Sequence, residues 1–191
     1  RVKITGSGGH AARPHEASDP IAAGAQFINS LYSIVPRRTD SQDAMVVTIG
    51  QIRGAETMNI IPERVDLAGT LRTLDTRVRE RTMEHIREMA EGIGKISGTE
   101  VEVHLELGAG AVCNDRNLIE IIQTAASQLI GVDSIDQIDR PSMGSEDFAF
   151  YLDHVPGAMF RLGSSLANIG WAPLHSPAFD VDHEALRIGA R

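Results

Sequence analysis

A single cysteine, Cys113, in 191 residues excludes an internal disulfide and fits a reducing, cytoplasmic setting. Left unpaired, it reads as a small, half-buried apolar residue. No apolar run approaches the roughly 18 residues that would span a bilayer, so no membrane partner is expected. The basic residues are dispersed within a net charge of −8, which leaves no continuous stripe for phosphates and argues against nucleic acid as a partner. Neither Cys-x-x-Cys nor His-Glu-x-x-His occurs, so a compact zinc motif is missing. Internal repeats and low-complexity tracts are missing too. What is present, 42% hydrophobic residues with ordinary glycine and proline use, belongs to a folded globular chain.

The chain starts at Arg1 rather than methionine and enters an alternating pattern at once, while Glu184-Ala185-Leu186-Arg187-Ile188-Gly189-Ala190-Arg191 begins a helical pattern with no stop signal. Both ends read as cut, and a piece of a longer protein is the expectation.

Val2 and Ile4 alternate with Lys3 and Thr5, predicting a short strand. A Gly-rich turn follows, then Asp19 as a cap and Pro20 in a first helical turn. Ile21, Ala25, Ile28, Leu31, Tyr32 and Val35 supply an apolar stripe until Pro36 interrupts it. Residues 45–52 and the alternation of Val65, Leu67 and Leu71 predict two strands joined by a long connection, 54–62. Asp75 caps a second helix with Val78, Met83, Ile86, Ala90 and Ile93 inward, and residues 101–107 alternate as a fourth strand with His104 on the wet side. Strand, helix, strand, strand, helix, strand is the order of a ferredoxin-like layer, here over residues 1 to about 108. Beyond Gly108-Ala109-Gly110-Ala111, Asn114 or Asp115 caps a helix that stops at Gly131, Ser145-Glu146-Asp147 opens another, and 157–163 reads as a short strand. Helices alternating with strands over 111–191 predict part of an α/β layer, so the fold class is α/β with an α+β layer in front.

The chemistry-bearing residues are few. Gly8-Gly9-His10-Ala11-Ala12-Arg13-Pro14-His15 places His10 on an exposed turn where small residues permit close approach, and imidazole polarises a carbonyl well near neutral pH. An exposed histidine with no chemical role is the competing reading. Asn59 and Arg72 flank the third predicted strand; a guanidinium grips a carboxylate through two parallel bonds and an amide adds one, though both also fit as turn or edge residues. His175 follows a loop at the end of a predicted strand, where a neutral imidazole can bind metal, but one ligand is not a site. Ser145, Glu146 and Asp147 are best explained as helix capping.

Together, Gly9-His10-Ala11-Ala12 with Pro14-His15, Asn59-Ile60-Ile61-Pro62, Gly69-Thr70-Leu71-Arg72-Thr73, Gly144-Ser145-Glu146-Asp147-Phe148 and Leu174-His175-Ser176-Pro177 resemble, in order and spacing, the di-metal amidohydrolases of the zinc-exopeptidase family, which include hippurate hydrolase, indole-acetyl-amino-acid hydrolase and the aminoacylases. Gly-Ser-Glu-Asp-Phe favours the hippurate-hydrolase branch. The resemblance implies a ferredoxin-like lid and dimerisation domain at 1–110 and the C-terminal portion of a metallopeptidase catalytic domain at 111–191. It implies a homodimer acting on N-acyl amino acids with two divalent metal ions (Zn, Mn, Co or Ni). It further implies that His10 is a catalytic oxyanion donor reaching an active site, often the partner subunit's; that Asn59 and Arg72 bind substrate; and that His175 is a metal ligand. The family's other ligands and its general-base glutamate lie N-terminal to the lid. This chain alone is therefore expected to bind no metal stably and to be inactive; the alternative is a non-catalytic dimerisation or ligand-binding module.

Overall fold

β1 (Val2–Thr5) lies at the centre of the sheet rather than at its edge. The computed structural model describes residues 1–55, 57–165, 172 and 176–191. These form two compact units, Arg1–Val112 with Gln137–Asp153, and Cys113–Asp136 with His154–Arg191.

In the first unit, β1 is followed by β2 (Gly9–His10), α1 (Pro20–Ile34), β3 (Met45–Arg53), β4 (Ile60–Ile61), β5 (Arg64–Thr73), α2 (Thr76–Ser97) and β6 (Glu100–Val103). Four strands pair antiparallel in the order β3-β5-β1-β6, which is the ferredoxin-like topology the periodicity predicted. Val2, Ile4, Val65 and Leu67 point from the sheet into one core with Ala23, Phe27 and Leu31 of α1 and Ile86, Ala90 and Ile93 of α2. Full burial of a side chain such as Ile4 or Phe27 stabilises the fold by about 1.5–3 kcal/mol. Elsewhere on the sheet, Lys3 pairs with Glu102 at 2.6 Å and holds its carboxyl below the ordinary carboxylate range.

The expected stripe of α1 is rotated. Ile21 and Tyr32 are nearly half exposed, and the buried face is Pro20, Ala23, Gly24, Phe27 and Leu31. The large side chains Phe27 and Leu31 set the docked face, packing with Ile4, Val65 and Leu67 in the core, and Gly24 lies on that same line within van der Waals reach of Val65 and Ile4. Asp19 caps as predicted, accepting from the N–H groups of Ile21 and Ala22. In α2 the stripe matches except that Thr82, not Met83, is buried, its hydroxyl donating to the Val78 carbonyl at 2.7 Å.

β3 carries a bulge, its register passing from Ile49↔Gly69 to Gln51↔Ala68 with Gly50 as the extra residue. The Ile49 N–H donates to the Tyr32 hydroxyl at 2.8 Å, and a Cβ on Gly69 would lie 2.1 Å from the Thr48 carbonyl oxygen. β6 is shorter than the expected 101–107 because β1 offers only four residues for it to pair with.

The second unit holds α3 (Arg116–Ile130), capped by Asp115 and ended by Gly131 at φ 84°, while α4 (Phe148–Leu152) falls in the first unit and α5 (His183–Gly189) in the second. The strand expected at 157–163 does not form among the described residues. The Asn114 side-chain amide takes a strand's place there, donating to the Met159 carbonyl at 2.9 Å and accepting from its N–H at 2.8 Å. A strand needs a neighbouring strand, and this stretch is held instead by Asn114 and by the Asp115 N–H, which donates to the Gly157 carbonyl at 2.8 Å. Cys113 is exposed rather than half-buried. No described helix is long and apolar enough to cross a membrane.

Candidate active-site ribbon

His10 is positioned by the glycines before it. The Gly6 N–H donates to the Glu63 carbonyl at 2.9 Å, and a Cβ on Gly6 would lie 2.0 Å from the Ser18 backbone oxygen. Ser7 clamps the same neighbour, donating from its N–H to the Ser18 carbonyl while its Oγ accepts from the Ser18 N–H at 2.6 Å. A Cβ on Gly8 would stand 3.0 Å from the Ile61 carbonyl oxygen. Only a chain without side chains at these points can pass so close to Ser18 and Ile61, and it emerges as β2, paired antiparallel with β4.

In that ribbon Gly9 faces Ile61 and His10 faces Ile60. The Ala11 N–H donates to the Asn59 carbonyl at 3.1 Å, so His10 and Asn59 stand together at one end of the ribbon, both exposed. Residues 10–13 close a turn in which the Arg13 N–H donates to the His10 carbonyl at 2.8 Å and the Ala12 N–H donates to His10 Nδ1 at 3.1 Å.

Arg72 lies elsewhere. It sits on β5 opposite Val46, half-buried, with Nη1 donating to the Met143 carbonyl at 3.0 Å. β5 begins at Arg64, just after the ribbon, and eight residues of strand separate Arg64 from Arg72, about 26 Å at the usual rise. Within one chain, therefore, Asn59 and Arg72 are not brought together. His175 lies outside the described residues. Among those described, no group of three or more His, Cys, Asp or Glu side chains could hold a metal ion, so the described residues by themselves do not fit one.

Ser145, Glu146 and Asp147 correct another expectation. Asp147 is the N-cap of α4, but its side chain makes no capping bond among the described residues; Glu146 and Asp147 accept through their backbone carbonyls, from Ala149 and Phe150. A groove of about 660 Å³ opens between α2 and β6, lined among others by Arg87, Glu91, Lys95 and Thr99, and neither His10, Asn59 nor Arg72 borders it. Sequence reasoning missed the Ala12 N–H and the Met143 carbonyl, which are backbone groups with no signature in residue type.

The fold recurs in solved structures of hydrolases. A protein from methicillin-resistant Staphylococcus aureus superposes with a TM-score of 0.84 at 29% identity, over 99% of this chain and 48% of that one. Bacillus subtilis YxeP, described as a dinuclear metal-binding peptidase, does so with a TM-score of 0.71 at 29% identity, over 99% and 46%. By sequence the chain is 37% identical to the N-acetyldiaminopimelate deacetylase of Streptococcus uberis over 188 residues, 98% of this chain and 48% of that protein. It is 34% identical to the N-acetyl-L-cysteine deacetylase of Bacillus subtilis over 187 residues, 97% and 43%. The profile of peptidase family M20/M25/M40 matches residues 6–191, and the chain belongs to that family. It spans about half the length of the relatives it matches.

Proposed function

We propose that this chain forms the substrate-gripping lid, residues 1–110, and the C-terminal catalytic portion, 111–191, of an enzyme that hydrolyses the amide bond of N-acyl amino acids. The observation that carries the reading is the family match over residues 6–191, together with the ribbon that joins His10 to Asn59. When bound, a pair of divalent metal ions would supply an activated water, with His175 as one ligand.

This chain's own residues bind and orient. His10 presents a ring N–H to the oxygen that becomes negative as the amide carbon turns tetrahedral, a contact that commonly lowers the barrier by about 2.7–4 kcal/mol. The Asn59 amide adds a second donor to the substrate. Arg72 grips the amino-acid carboxylate; a guanidinium has five donors, so the bond to Met143 fixes the group and leaves others for the ligand.

The separation of about 26 Å along β5 favours a homodimer. One small substrate cannot touch both ends of that strand, so His10 and Asn59 serve the site of the partner copy while Arg72 serves its own. Soluble, cytoplasmic residence and the hippurate-hydrolase-like preference for aromatic acyl groups complete the proposal.

The test uses the full-length protein with added Zn²⁺, Mn²⁺, Co²⁺ or Ni²⁺ and a panel of N-benzoyl and N-acetyl amino acids. Release of free amino acid is expected, faster from the N-benzoyl compounds; no release from any of them overturns the reading. The 191-residue chain alone is expected to turn over nothing. Arg72→Ala should lower kcat/KM by about 10- to 150-fold, mainly through KM, the loss expected for a charged hydrogen-bond pair. Mixed dimers of His10→Ala and Arg72→Ala chains should regain one working site of two. No recovery would place both residues in the same chain's site.

A further inference from the structure

We propose that the Ala12 peptide N–H locks His10 in the Nε2–H tautomer, making Ala12 a positioning residue and His10 a donor rather than a base. The inference rests on the oxyanion role assigned to His10 above and adds which nitrogen performs it.

A neutral imidazole has one N–H and one bare nitrogen. The Ala12 N–H donates to His10 Nδ1 at 3.1 Å, and a peptide N–H can be received only by a ring nitrogen without a proton. The ring proton is therefore on Nε2. A bare Nε2, needed by a general base or a metal ligand at that atom, is incompatible with this contact. The exposed ring instead offers Nε2–H to an approaching oxygen.

The contact is held from several sides. The Arg13 N–H bond to the His10 carbonyl closes the turn that aims Ala12 back at the ring, and the Ala11 N–H bond to Asn59 pins the turn to β4. The side chain at the first position of a turn receiving the N–H two residues on is the arrangement asparagine and aspartate use in turns, here made by an imidazole. Gly6 and Gly8, squeezed against Ser18 and Ile61, keep the ribbon from sliding. The ring thus has one tautomer and one orientation before any substrate arrives, which is the condition under which an oxyanion donor is effective.

The experiment is long-range nitrogen–proton NMR on the intact protein labelled with ¹⁵N at the imidazoles, at a pH where histidine is neutral, with the His10→Gln variant identifying the resonance. A single His10 tautomer is expected, Nδ1 unprotonated and Nε2 protonated. Replacing the Ala12 peptide by an ester, which removes only the N–H, should return a mixture like that of free histidine. Ala12→Pro is the genetically encoded version of that change. Mixed tautomers in the parent protein, or a lock untouched by the ester, overturn the inference. In the full-length enzyme, His10→Gln, which keeps a terminal N–H donor, should retain at least tenfold more activity than His10→Ala. Equal loss in the two variants overturns the donor role. The NMR result is independent of turnover, so a locked ring in an inactive full-length protein supplied with metal would count against the amidohydrolase reading, and mixed tautomers in an active one against the lock.

Discussion

α2 and α3 are both amphipathic, yet α2 buries Val78, Thr82, Ile86, Ala90 and Ile93, whereas α3 buries none of its residues among those described. Ile86 of α2 is 5% exposed and Ile121 of α3 63%. Apart from Ala185, every buried hydrophobic residue among the described ones belongs to the first unit. An apolar stripe thus states only which side of a helix can be buried. Whether it becomes core depends on a facing layer, and β1 and β5 supply one for α1 and α2.

The contrast can be broken most sharply by truncation. Phe27→Ala should cost about 3–5 kcal/mol in urea unfolding, a cavity in a closed core, while Ile121→Ala should cost less than about 0.5 kcal/mol. Comparable losses would show that α3 is as deeply packed as α1. Next in size is Asn114→Ala, which deletes both bonds to Met159 and should cost about 1–3 kcal/mol, read as faster amide exchange at Met159 with the β1–β5 amides unchanged. The caps sharpen the comparison further: Asp19→Ala should lose about 1 kcal/mol because two amides lose their acceptor, and Asp147→Ala close to nothing.

The smallest effect concerns pH. Burial and the nearby Arg38 guanidinium hold His85 on α2 below its ordinary value of 6.5, and its Nδ1 is sealed without a partner among the described residues. The unfolded chain then takes up the proton more readily than the folded one. Stability should fall as pH drops through 6.5 toward the folded value, and His85→Gln should flatten that part of the urea-midpoint profile. The pairs of Glu91 with Lys95 and Glu102 with Lys3 lower both carboxyls, so their contribution is lost only as pH falls below 4.5, separate from the histidine step.

Much of the first unit was legible because its period is long enough to count. β1, β3, β5, α2 and the Asp19 and Asp75 caps all follow from alternation, helical spacing or cap chemistry. β2 and β4 were not, since two residues carry no periodicity and their pairing depends on Gly6 and Gly8 fitting against Ser18 and Ile61. The face of α1 was misread because Ile21 and Tyr32 were counted into the stripe while Phe27, which fills the core beside the small Ala23 and Gly24, was left out. His10, Asn59 and Arg72 were recognisable as residue types able to hold an acyl amino acid. That the first two share a ribbon and the third sits at the far end of β5 belongs to the register of the sheet, which sequence spacing does not reveal.

The central place of β1 bears on how the protein is made. Its partners are Val65 and Leu67 on one side and Val101 and Val103 on the other, so β1 is synthesised before both of its neighbours, β5 and then β6. At roughly 5–20 residues per second, the wait for β6 is on the order of 5–20 s. Through that interval an apolar edge is open to other nascent chains. The sheet is complete only when β6 joins, and pairings this far apart in sequence form slowly and leave strand edges exposed to aggregation meanwhile.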